Sequence, residues 1–111
     1  NKVHRGERAR GLCNDYAIDM LCRLQKENFR TLSLHWATSP PTSLRIIHHT
    51  SVISARGDGM YDGIILDAWR NGGALFWSPV RTDTRYNWRP RMEVREELLQ
   101  AERERKAALA Q

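Results

Sequence analysis

Cys13, His49 and Asp67 occur in that order along the chain, thirty-six and eighteen residues apart. A thiol, an imidazole and a carboxylate are the parts needed for nucleophilic catalysis. The thiolate attacks, the imidazole takes its proton, and the carboxylate fixes the ring's tautomer and stabilises its charged form. Cys13 opens a helical pattern, where the helix dipole and unused backbone N–H groups favour a thiolate and can hold an oxyanion. His49 stands before one strand and Asp67 after the next. In an antiparallel pair the start of one strand lies beside the end of its neighbour, so a hairpin brings His49 and Asp67 to one sheet edge. His48 is the rival of His49. Neighbouring strand residues point to opposite faces, so only one of the two can meet Cys13.

The hairpin that positions this pair is read from the stretch HHTSVISARGDGMYDGIILDAWRN. Residues 50–55 form its first strand, with β-branched Val52 and Ile53. Gly57 and Gly59 supply the reversal, and residues 61–66 form the second strand. Upstream, Leu12, Cys13, Tyr16, Ala17, Met20, Leu21 and Leu24 recur at helical spacing over residues 12–26, with Cys13 on the apolar stripe and Cys22 on the opposite side. Residues 31–37 alternate as a strand, Pro40 and Pro41 interrupt it, and the apolar run 44–47 leads into the hairpin. A turn over 69–73 precedes a short strand at 74–77. Residues 78–90 carry no clear period, and 92–110 form a second helix, thin in apolar residues. Residues 1–11 are polar and basic, as in a linker. The order helix, strands, helix implies an α+β domain with a small antiparallel sheet.

A length of 111 residues fits one domain, and 41% hydrophobic residues with four tryptophans fit a folded one. Eighteen basic against thirteen acidic residues give a net charge of +5, compatible with nucleic acid, a membrane surface or an acidic protein partner. On one helix, Cys13 and Cys22 stand roughly 13 Å apart along the axis, too far for a disulfide. No apolar run is long enough to span a membrane, and no metal-ligand spacing such as C-x-x-C or H-x-x-x-H occurs. No cofactor is expected. The chain opens on Asn, so a piece of a longer protein is expected.

The segments GLCNDYAIDML, HHTSVIS and IILDAWRN together resemble the papain-like cysteine hydrolases, in particular compact bacterial toxin and effector versions. The likeness covers residues 11–71. It implies a papain-like fold over residues 1–111, with Cys13 as nucleophile, His49 as base and Asp67 as orienter. His49 is preferred on this pattern because it directly precedes the strand. The reaction implied is thiol-dependent hydrolysis of an amide, as a protease, deamidase or peptidoglycan amidase. A secreted or delivered module acting inside a target cell is implied, with an acidic immunity protein as partner. One departure from the family stands out. The residues before the nucleophile, Glu7 to Arg10, include no Gln to complete an oxyanion hole: either the side chain of Asn14 or Arg10 or a residue outside this stretch supplies the donor, or the hole is incomplete.

Two other classes fit the same residues. A basic RNA-binding or RNA-cleaving module would use His48, His49 and the arginines, with the stretch 77–91 stacking bases. In the alternative for that stretch, Trp77 and Trp88 cover the sheet while the arginines stay solvated. A non-catalytic interaction domain would need none of the three. Trp69 is expected to shield the histidine–aspartate contact, and His35 to be structural.

Overall fold

The computed structural model describes the backbone of residues 6–110 and the side chains of residues 15–110. Two helices flank a five-stranded antiparallel sheet, an α+β architecture. The order is α1 (Gly6–Lys26), β1 (Leu32–Ser39), β2 (His48–Ala55), β3 (Ile64–Asn71), β4 (Ala74–Pro79), β5 (Arg89–Pro90) and α2 (Arg91–Leu109). The first four strands form a meander and β5 joins the far side of β1, giving the spatial order β4-β3-β2-β1-β5.

Strands β1, β2 and β4 and helix α2 differ from the sequence reading by one or two residues at their ends, β5 forms within the stretch that has no clear period, and three further differences each have a local reason. Helix α1 begins at Gly6, so residues 6–11 are helical and not a linker. Glu7, Arg8, Ala9 and Arg10 are good helix formers, and the single Gly11 costs only about 1 kcal/mol. The second hairpin strand starts at Ile64, because Met60–Asp62 closes a 3-10 turn whose Gly63 N–H bonds the Met60 carbonyl. Gly63 also lies tight against β2: a Cβ there would stand 2.5 Å from the Ile53 carbonyl oxygen. The strand then runs through Asp67 to Asn71, and the reversal is a two-residue loop, Gly72-Gly73, between paired Asn71 and Ala74. Both glycines have positive φ, +63° and +103°, which suits the two-residue hairpin and spares a side chain the strain. The run 44–47 lies outside the strands: Leu44 and Ile46 stay exposed in the loop before β2.

Register assigns the faces. Residues directly opposite in an antiparallel pair point the same way. His35 opposes Val52, and Val52 opposes Ile65, so Ala37, Val52 and Ile65 share one face. That face buries its apolar residues against Met60, Val80 and Trp88, with Tyr86 packed beside them. Helix α1 packs across β1, β2 and β3 with Ala17 buried, and turns Cys22 outward as an exposed free thiol. Helix α2 contacts β1 and β5, and Val94 is its one buried residue among those described. No described helix is long and apolar enough to cross a membrane.

Candidate active site

Asp67 and His48, and not His49, form the pair. His48 Nε2 lies 2.9 Å from Asp67 Oδ2, with the side chains 5% and 1% exposed. The cause is parity. Ser51 opposes Leu66, so continuing that register places Thr50 and Asp67 on one face together with His48, while His49 points away. Across the sheet His49 opposes Thr38, whose Oγ1 it meets through Nδ1 at 3.0 Å. Burial first, then the neighbouring charges of His48 and Arg91, lower the His49 pKa to about 4, which makes it a weak base. His35 has a structural contact, Nε2 to Ser54 Oγ at 2.8 Å, and burial lowers its pKa.

Asp67 is fixed on both oxygens. Oδ1 accepts the backbone N–H groups of Trp69 and Arg70 at 3.0 and 3.1 Å, and Oδ2 also takes Arg70 Nε at 3.3 Å. The register between β3 and β4 shifts between Asp67 and Asn71, where the strand folds its N–H groups back onto this carboxylate. Burial by itself would raise the Asp67 carboxyl. The His48 hydrogen bond and charge, with the two backbone donors, outweigh burial and hold it below the ordinary carboxylate range. Since a carboxylate only accepts, Nε2 of His48 carries the proton donated to Asp67.

Behind Asp67 stands a second layer that the sequence reading missed. Arg70 reaches past Asp67 to Asp83, with NH2 2.6 Å from Oδ2, and Trp88 Nε1 donates to the same oxygen at 2.8 Å. The side chains of Arg70 and Asp83 are as buried as the histidine. Burial would lower the Arg70 pKa, but the Asp83 and Asp67 carboxylates outweigh it and raise the pKa. Asp83 is held low by Arg70 and Trp88 in spite of its own burial. The aromatic cover of the histidine comes from the same segment: Tyr86 stacks on His48 at 4.6 Å between centroids and Trp88 at 5.4 Å. Residues 83–88 therefore act as a clamp over the pair, although no period marks them as an element. Trp88 covers the sheet as one reading of the 77–91 stretch has it, whereas Trp77 is 65% exposed.

The pair opens onto a cavity of about 330 Å³ lined by Leu44, Arg45, Ile46, His48, Trp69 and Tyr86. Trp69 forms part of this wall, and Tyr16 of α1 stacks on it at 5.8 Å. The helix repeat places position 13 one turn before Tyr16 and Ala17, on the same face. The side chains of Cys13, Asn14 and Arg10 lie outside the described residues. What the backbone does fix is that Cys13 is the eighth residue of α1. An N–H that far inside a helix bonds the carbonyl four residues back. Cys13 therefore lies too far inside α1 for the helix terminus to stabilise its thiolate or for its own N–H to hold an oxyanion. Among the described residues no group of three or more His, Cys, Asp or Glu gathers as a metal site. Comparison with protein-family models, with curated proteins and with solved structures finds no match to this chain.

Proposed function

We propose that the chain is a thiol-dependent amide hydrolase of papain-like type, with Cys13 as nucleophile, His48 as general base and acid, and Asp67 as orienter. The observation that carries this reading is the buried His48–Asp67 pair, clamped beneath Tyr86 and Trp88, with His48 lining a cavity whose Trp69 wall meets Tyr16 of α1. A buried aspartate bonded to one imidazole nitrogen and a ring held by stacking keep the other nitrogen in a fixed direction. Cys13 Sγ attacks the amide carbon while its proton passes to His48 Nδ1. The tetrahedral intermediate collapses to a thioester as His48 protonates the leaving nitrogen. Water, deprotonated by His48, then attacks the thioester, which releases the acid and restores the thiol. An oxyanion donor is left to the side chain of Asn14 or Arg10. A toxin or effector role, with an acidic immunity protein against the basic surface, belongs to the same proposal.

The test is alkylation by iodoacetamide as a function of pH, read by mass spectrometry at each cysteine. Cys13 should react at a lower pH than exposed Cys22, and His48→Ala should abolish that advantage while His49→Ala leaves it in place. Equal titration of both thiols sinks the proposal. An RNA-cleaving module instead predicts activity that survives Cys13→Ala and weakens steeply with salt.

A further inference from the structure

Most arginines near the site have carboxylate partners. Arg70 has Asp67 and Asp83, Arg81 has Asp62, and Arg89 has Glu93 and Glu97. Arg45 and Arg85 differ. Neither guanidinium has a carboxylate partner among the described residues, and both are gathered on one aromatic ring, their Cζ atoms 5.3 and 5.8 Å from the Tyr86 centroid. The nearby Asp83 carboxylate is occupied by Arg70, Trp88 and the Arg85 backbone N–H. Arg45 and Arg85 line a common groove of about 530 Å³, together with Tyr86 and the polar Thr42, Thr84 and Asn87.

This groove continues into the His48 cavity, since Leu44, Arg45 and Tyr86 line both. Tyr86 lies 4.6 Å from the His48 ring and 5.3 Å from Arg45, so the guanidinium is within about 10 Å of the imidazole. That is two or three residues of extended peptide at roughly 3.3 Å each. Stacking on a ring leaves a guanidinium's edge donors outward, in the fork that matches a carboxylate. Exposed Leu44 and Ile46 flank Arg45 with apolar surface.

We infer that the Arg45–Tyr86–Arg85 groove is a substrate subsite for a carboxylate side chain. The substrate is then an acidic peptide segment, with Glu or Asp two or three residues from the amide that His48 addresses. This rests on the amide-hydrolase reading for its geometry, and binding separates the two. Two labelled hexapeptide pools, degenerate except for one fixed position carrying Glu or Gln, are titrated against the full chain by fluorescence anisotropy. A single-stranded oligonucleotide of equal charge is titrated alongside, and cleavage or ammonia release is followed separately by mass spectrometry. The Glu pool should bind about tenfold more tightly than the Gln pool, as charge-assisted pairing requires. The double variant Arg45→Gln/Arg85→Gln, changed only at exposed positions, should lose that preference while keeping its circular dichroism. Equal binding of the pools, or a preference that the double variant retains, overturns the subsite. So does an oligonucleotide that binds more tightly than the Glu pool and loses affinity in the same variant, since the ligand is then a phosphate backbone. A Glu preference without hydrolysis of either pool supports the subsite and counts against the hydrolase alone.

Discussion

Asp67 accepts two hydrogen bonds on each oxygen, from His48, Arg70 and two backbone N–H groups, with its side chain only 1% exposed. Asp67→Asn keeps the shape but removes the charge opposite His48 and Arg70. Loss of one member of a buried ionic cluster costs about 3 kcal/mol, which urea unfolding at pH 7 should register. The sign follows from the depressed carboxyl: the wild-type advantage is complete above the unfolded-state value, about pH 4, and shrinks as pH falls through the lower folded-state value. His49 acts in a different window. Its folded-state pKa of about 4 lies below the ordinary 6.5, so the unfolded chain takes up the proton first and stability falls as pH drops between those values. His49→Asn should flatten that limb, on the order of 2 kcal/mol, without touching the limb below pH 4. The pairing of a histidine with Asp67 was legible from the hairpin, but the choice between adjacent histidines was not. It depends on register parity, and parity depends on a loop of eight residues from Arg56 to Gly63 whose closing 3-10 turn has no strong sequence signal.

The elements that hold the site divide by how regular their sequence is. Helix α2 and strands β1, β2 and β4 follow apolar periods and were readable within two residues at most ends. The 83–88 clamp was not readable, because the Asp83 and Trp88 side chains are buried and Tyr86 half-buried one by one, from a segment with no repeating geometry. The junction of β2 and β3 offers a sharp test of how that layer is held. An Ala at Gly63 would drive its Cβ into the Ile53 carbonyl and Val52 Cγ1, both strand atoms with no room to retreat. An Ala at Gly59 meets nothing within 4 Å, and φ there is −77°. Gly63→Ala should therefore cost about 1–3 kcal/mol and Gly59→Ala at most a few tenths, or slightly stabilise. Thermal unfolding of the pair checks this, and equal melting temperatures would mean the hairpin adapts freely. Since Val52 neighbours Thr50 and His48 on the same face, Gly63→Ala should also blunt the alkylation advantage of Cys13, which Gly59→Ala leaves intact.

At the scale of the whole molecule, the fold has a compact half and a projecting one. The core gathers on one sheet face around Val52, Ile65 and Trp88, and every group of the proposed chemistry whose side chain is described lies on that side or at its rim. Helix α2 leaves the sheet at β5, buries Val94, and then shows all of residues 95–110 to solvent. Its second half is held by pairs along its own surface, such as Arg105 NH2 to Glu102 Oε1 at 2.6 Å and Arg103 to Gln100. Exposed i, i+3 pairs contribute only about 0.2–0.5 kcal/mol and weaken with salt, and a helix segment of this length is marginal by itself. Stability at the two ends of α2 is therefore unequal: the Val94 turn is tied to the sheet, whereas among the described residues the far turns are held by pairs along α2 itself. Removing residues 101–111 should shift the melting temperature by less than about 2 °C, because it exposes no core. Val94→Ala removes buried methyl groups beside Thr38 and His49 and should cost about 1–2 kcal/mol, several degrees for a domain of this size. Amide hydrogen exchange provides the matching readout: slow in β2 and β3, fast beyond Gln100. A large loss of melting temperature on truncation would mean that the last turns of α2 bear on the fold, and would move the lower boundary of the stable domain past residue 100.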